Sequence, residues 1–137
     1  MKKRLTLACL SLLSACAGEP PQNIGNLDGR LVGCPDSPNC VCSFEDRESH
    51  YIAPLQANLD QVESVLLNLD AANIVKAEPN YLYAEFTSRI MGFVDDVEFL
   101  FDPVAGVTHV RSASRLGHSD MGVNRNRIES IRTALSN

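Results

Sequence analysis

The sequence predicts an α+β domain: an antiparallel sheet of four strands, five if an early stretch joins its edge, with two helices packed on one face. Three observations carry this expectation. Apolar residues recur at helical spacing in two segments, near 59–69 and 125–135. Between them lie four short runs rich in β-branched and aromatic residues, divided by turn formers. The links between those runs are too short for parallel crossovers, so neighbours pair antiparallel, and one face of such a sheet is buried beneath the helices.

Each element follows from local chemistry. Residues 50–55 (HYIAPL) form the candidate edge strand, ended by Pro54. Asn58 opens the first helix: it can cap, Gln61 stands three residues on, and Asp60 lies in the first turn. Leu59, Val62, Val65, Leu66 and Leu69 form its apolar stripe. Strands are expected at 74–78, 81–88, 93–101 and 107–114, with turns at Pro79-Asn80 and at Asp102-Pro103-Val104-Ala105-Gly106. The second helix runs from about 125 to 135, with Asn124 as its cap and Ile128, Ile131 and Leu135 as its stripe.

The N-terminus reads as targeting rather than fold. Lys2, Lys3 and Arg4 precede a short apolar run at 5–13, well below the roughly 20 residues a membrane-spanning helix needs. Leu13-Ser14-Ala15-Cys16 follows and resembles the lipobox of bacterial lipoproteins, in which the cysteine is acylated and becomes the mature N-terminus. The alternative is an ordinary secretory signal cut near Ala15 or Ala17. The organisation expected is a signal peptide at 1–15, a lipid-anchored flexible tether at 16–33 (AGEPPQNIGNLDG and its flanks) and one domain at 34–137. Ala17, rather than Asp, follows Cys16. In a bacterium with two membranes that favours anchoring in the outer membrane, with the domain facing the periplasm. The membrane, through the lipid, is therefore the first expected partner.

Composition excludes some classes. With 45% hydrophobic and 21% charged residues the chain is globular rather than disordered. Removing residues 1–15 takes away three cations and shifts the formal charge from −5 to −8. A small protein so acidic repels nucleic-acid phosphates, and no nucleic-acid partner is expected. The arginines are unevenly placed: Arg111, Arg115, Arg125, Arg127 and Arg132 all follow residue 110, against only Asp120 and Glu129.

In Cys34-Pro35-Asp36-Ser37-Pro38-Asn39-Cys40-Val41-Cys42, turn formers bend the segment so that Cys34 and Cys40 can meet in a disulfide, as an exported protein permits. Cys42 is then left over; it can stay buried, pair in trans, or replace Cys40 in the bridge. A metal site of Cys34, Cys40, Cys42 and His50 has the spacing C-x5-C-x-C, which matches no zinc pattern, and neither a metal nor another cofactor is expected.

The suspected site is a charged constellation at 89–127. By strand alternation Asp95 shares a face with Phe93, Val97, Phe99 and Phe101, while Asp96 and Glu98 share the other. A buried carboxylate must be paired, hydrogen-bonded or protonated. Arg89, Arg111 and Arg115 are the expected partners of the strand acids. The polar loop 117–125, carrying Asp120, Asn124 and Arg125, leads into a helix start whose amides could hold an anion. Three readings stay open: a structural ion-pair network, a pocket for a small anionic or polar ligand, and a catalytic centre. Ser112, Ser114 and Ser119 with His109 or His118 supply residue types for hydrolysis but no motif. A binding or assembly-support role in the cell envelope, towards an envelope protein or a small anionic ligand, is preferred over catalysis.

These strings resemble the domain-of-unknown-function 1499 family: CPDSPNCV at 34–41, GFVDDVEF at 92–99 and VRSASRLGHSDMGVNRNRIESIR at 110–132. The resemblance implies small exported or membrane-attached bacterial proteins, with relatives in plastids and no established activity. It places Cys34, Cys40, Asp95, Asp96, Arg111, Ser112, Ser114, Arg115, Asp120, Asn124 and Arg125 in the family pattern. Cys42 departs from that pattern, which usually has Ser there.

Overall fold

A computed structural model describes residues 17–137; residues 1–16, with the expected signal peptide and Cys16, lie outside the described residues. The elements run β1 (Cys40–Cys42), α1 (Leu59–Leu66), β2 (Ala72–Glu78), β3 (Tyr81–Thr87), β4 (Val94–Asp102), β5 (Val107–Ser114) and α2 (Val123–Leu135). The five strands form one sheet in the order β1-β5-β4-β3-β2, every pair antiparallel. The α+β architecture is as expected, and a fifth strand is present. It comes from Cys40–Cys42, not from residues 50–55, which make only isolated bridges from Tyr51 to Cys42 and from Leu55 to Thr108. The disulfide loop delivers Cys40 straight onto the free edge of β5, and Pro54 interrupts the later stretch.

Local rules set the ends of the elements. In α1 the Asn58 side chain accepts from the Gln61 amide at 3.0 Å and the Gln61 side chain accepts from the Asn58 amide at 3.0 Å, a complete capping box. Leu59, Val62 and Leu66 face the core, while Leu69 lies beyond the helix and is exposed. In the β4–β5 turn the Asp102 carboxylate accepts from the Val104 and Ala105 amides, and Gly106 takes φ +69°, a region glycine enters without side-chain strain. The start of α2 departs from expectation. Gly122 stands at the N-cap with φ +82° and Asn124 lies inside the first turn, fully buried. The capping work falls to Asp120, whose carboxylate accepts from the amides of Gly122 (3.0 Å) and Asn124 (2.9 Å).

The sheet has two covered faces. Both helices pack on the first, where Val41, Leu82, Ala84, Phe86, Val97, Phe99 and Val110 meet Val62, Leu66, Ile128 and Ile131. The second face carries a smaller cluster of Leu31, Cys42, Tyr81, Tyr83 and Leu100, with Ile24, Cys34 and Phe44 at its margin. Part of the stretch before residue 34 thus lies on the domain: Leu31 is buried and the Gly25 amide bonds to Glu98.

Candidate functional site

Antiparallel register decides which charges can meet. Residues directly opposite one another share a face. Asp95 stands opposite Ser114 and Val97 opposite Ser112, whereas Asp96 stands opposite Ala113 and Glu98 opposite Arg111. The charged constellation is therefore two clusters on opposite faces of β4 and β5.

On the helix face Asp95 pairs with Arg127 of α2, through its Oδ2 and the arginine Nη2. The expected partners Arg89, Arg111 and Arg115 do not reach it. Arg111 and Arg115 leave the sheet on the other side, and Arg89 sits exposed in the β3–β4 turn without an ion pair among the described residues. Arg127 also donates to Asn124 Oδ1 (2.7 Å) and Ser112 Oγ (3.0 Å) and lies over the Phe86 ring at 4.8 Å. Asn124 Nδ2 donates to Ser114 Oγ, Asp120 Oδ2 and the Asn39 carbonyl, at 2.9, 2.8 and 3.1 Å. Asn39 in turn donates to the Gly117 carbonyl at 2.7 Å. One buried amide thus ties β5, α2, the 115–122 loop and the disulfide loop together. Burial pushes the Asp120 carboxyl upward, but the Asn124 and Gly122 amides and the Asn124 side chain outweigh it and hold it below the usual range. Those amides are the ones expected to receive an anion, and Asp120 already occupies them. Arg125 stands apart and donates to the Ser49 carbonyl.

On the second face Arg115 is the hub. Its Nε donates to both oxygens of Asp96, at 2.9 and 3.1 Å, and its Nη2 donates to Asp96 Oδ1 (2.8 Å), Tyr83 OH (3.2 Å) and Glu85. The Tyr83 hydroxyl donates to Asp96 at 2.6 Å. Two residues further along β4, Glu98 is fully buried; it accepts from Tyr81 OH (2.9 Å) and the Gly25 amide (2.8 Å) and meets Arg111 Nη1 at 3.5 Å. Burial raises the Glu98 carboxyl above its usual range, and the bonds from Gly25, Tyr81 and Arg111 only partly oppose that. Burial also raises the two tyrosines, with the neighbouring acids acting in the same direction.

Cys34 and Cys40 are disulfide-bonded across a Cα–Cα distance of 5.6 Å. Arg47, unremarked in the sequence, clamps their loop by donating to the Cys34 carbonyl (2.7 Å), Asp36 (3.1 Å) and Glu45 (2.9 Å). Cys42 is a free thiol buried on the second face, and burial raises its pKa. Among the described residues no group of three or more metal-ligating side chains gathers, and no serine hydrogen-bonds a histidine: Ser112 and Ser114 face α2, and His109 stacks on Phe44 beneath the other face.

Beside the helix-face cluster, a cleft of about 270 Å³ is lined by Val65, Phe86, Arg127 and Ile131 among others. A second cleft, of about 310 Å³, lies at the sheet end where β3 turns into β4 and β5 leaves for α2. Ser88, Asp95, Ser114, Ser119 and Asp120 supply its polar lining, and Met91, Phe93, Leu116, Met121 and Val123 most of the rest. Of the expected site residues, the structure brings Asp95, Ser112, Ser114, Asp120 and Asn124 into one network, Asp96, Arg111 and Arg115 into the opposite ones, and leaves Arg89 and Arg125 outside both. Arg127, Tyr81, Tyr83, Glu85 and Asn39 are members that sequence reasoning missed, and Glu98, placed by alternation on the Asp96 face, is not among the expected site residues.

Among the described residues no helix is long and apolar enough to cross a membrane. No curated protein and no solved structure matches the chain. The family model described as "Protein of unknown function (DUF1499)" matches residues 30–135, which includes both clusters, the disulfide loop and both clefts. On that match, which covers most of its length, the chain belongs to the DUF1499 family.

Proposed function

We propose that this chain is an envelope lipoprotein, acylated at Cys16 and held in the outer membrane, whose domain has a binding or assembly-support role rather than a catalytic one. The observation that carries the binding reading is the contrast between engaged charges and an open cleft. Asp95, Asp96 and Glu98 each already meet a guanidinium, so the two clusters act as internal braces. A surface left for a partner is the amphipathic cleft beside Asp95 and Asp120, with an apolar wall and a few converging polar groups. The sequence pattern of cations, apolar run and Leu13-Ser14-Ala15-Cys16 supports the lipid anchor, and the Cys34–Cys40 disulfide fits an oxidising compartment.

The alternative, a receptor or enzyme for a small anionic metabolite at the arginines, rests on Arg111, whose buried Nε has no hydrogen-bond partner. It is less well supported, because Arg115 and Arg127 are each already engaged by a carboxylate and by neighbouring hydroxyl or amide oxygens.

Intact, non-reduced mass spectrometry of the native protein tests this reading. The expected mass is that of residues 16–137 with acyl groups on Cys16 and two hydrogens fewer for one disulfide. A water-soluble species lacking acyl groups would refute the anchor, and a co-purifying anionic metabolite lost in Arg111→Ala would favour the alternative.

A further inference from the structure

The same end of the sheet that bears the amphipathic cleft exposes an unusual share of the large apolar side chains. Twelve large apolar or aromatic side chains are exposed among the described residues, and six of them cluster here: Ile90 at 93%, Met91, Phe93, Leu116, Met121 at 91% and Val123. Five of the six line the cleft, and Ile90 adjoins Met91 in the same turn. Singly exposed apolar side chains need no explanation, but a contiguous patch marks a surface meant to be covered. Met121 adds weight: it holds φ +52°, a region that costs a non-glycine residue roughly 1 kcal/mol, while its side chain stands almost wholly in solvent.

What covers the patch is indicated by where the chain leaves the domain. Gly18 packs against β5's exit: a Cβ built on it would lie 3.1 Å from Arg115 Cβ and 3.2 Å from Leu116 Cγ. Leu116 is one wall of the cleft. Cys16 is two residues from Gly18, and two residues span at most about 7 Å. An acyl chain on Cys16 must therefore enter the bilayer beside the patch. Further on the chain has already turned back over the second face, with the Gly25 amide on Glu98 and Leu31 buried, so the stretch expected to be a spacer has little length with which to hold the domain away.

We infer that the apolar end formed by the β3–β4 turn and the β5–α2 loop docks on the lipid bilayer, so that the domain lies against the membrane with this end down. The inference rests on the lipoprotein reading, since the Cys16 lipid sets the distance. Ile90, Met91, Phe93, Leu116 and Met121 would enter the headgroup and upper acyl region, as apolar faces of interfacial proteins do, and fix the orientation of the domain, which the Cys16 lipid alone does not set. The far end of the sheet, with the Pro103-Val104 turn, would face away from the bilayer.

The chain has no tryptophan, so a single introduced one reports its own depth. Ile90→Trp, Met121→Trp and, at the opposite end, Val104→Trp are placed in the full-length protein, purified with its lipid and reconstituted in phosphatidylcholine vesicles with and without acyl-brominated phosphatidylcholine. Each preparation is first weighed by mass spectrometry. With Cys16 acylated, docking predicts shorter-wavelength emission and bromine quenching at positions 90 and 121, and water-like, unquenched emission at 104. Acylated protein with water-like emission at 90 and 121, or equal quenching at all three positions, overturns the inference and leaves the lipoprotein reading intact. A shift at 90 and 121 that follows protein concentration and ignores bromine overturns it in favour of a second copy of the chain. Protein lacking the acyl mass fails the lipoprotein reading itself, and the inference falls with it.

Discussion

The two faces of the sheet solve the same problem with different outcomes. Each takes acids of one strand below the surface and meets them with arginines. On the helix face the ionised pair stands at the margin of an apolar core, with Asp95 lining a cleft open to solvent. On the second face the acids lie at the centre of the covered surface: Asp96 is 2% exposed, Glu98 is 0%, and they are capped by tyrosines and a turn of the N-terminal stretch. A charge at the margin can recover some hydration when its partner is lost, whereas a central one cannot. The second face should therefore be the more fragile to single substitutions, although it contains fewer apolar contacts.

Arg115→Met is the harshest test of that contrast. It keeps an apolar stem and removes the guanidinium that serves Asp96, Glu85 and Tyr83 together. Leaving a buried carboxylate without its cation costs about 3–5 kcal/mol, and urea unfolding at neutral pH should lose that much. Adding Asp96→Asn should recover part of it, because the orphaned charge goes with the carboxylate. Arg127→Ala should cost less, about 2 kcal/mol, as expected for charge-assisted hydrogen bonds whose remaining partner can be wetted. If Arg127→Ala proves the more damaging in the same unfolding experiment, the distinction between marginal and central pairs is wrong, and the Ser112–Asn124–Arg127 network is the true keystone.

How far the sequence foretold this follows from particular residues. The capping box at Asn58 and Gln61, the strand at Val107–Ser114 and the Asp102-to-Gly106 turn are local, and they stand where periodicity and turn chemistry put them. The ion-pair partners are not local. Alternation separates Asp95 from Asp96, but it does not say which residues of β5 share Asp95's face until the register is known. The signal was present in the short loop: if Asp102 pairs with Val107, then Glu98 must stand opposite Arg111 and Asp95 opposite Ser114. Arg127 had its own signal, since Asn124, Arg127, Ile128 and Ile131 fall at three- and four-residue steps, putting two polar residues on the buried stripe of α2. The packing of residues 24–31 on the second face had none, because Pro-, Gly- and Asn-rich composition also describes a linker and cannot report that Leu31 finds a pocket.

The faces should also respond oppositely to pH, a smaller effect but one with a definite sign. Asp120 on the helix side is held below its ordinary value of 3.8, where the folded state favours the ionised form. The stability it contributes is present above 3.8 and is lost as pH falls through the folded value. Glu98 is raised above its ordinary 4.5 by burial, so the folded state favours the protonated form. Between 4.5 and the folded value the native protein binds the extra proton, and stability falls as pH rises through that window. Glu98→Gln isolates this contribution, because the amide oxygen can still accept from Tyr81 and Gly25 but nothing titrates. Arg111 loses its charge partner in the variant, yet it stays cationic throughout, so that loss shifts the height of the curve rather than its slope. His109, whose folded value burial lowers, gives stability that rises with pH, but it does so in both proteins and cancels in the difference. Unfolding free energies measured by urea from pH 4 to pH 8 should therefore give a wild-type minus Glu98→Gln difference that declines as pH increases from about 4.5, the Glu value of an unstructured chain. A difference that stays level or climbs would mean that Glu98 is ionised in the fold at no cost. The central position on the second face would then be as well solvated electrostatically, by Arg111, Tyr81 and the Gly25 amide, as the marginal one is by water.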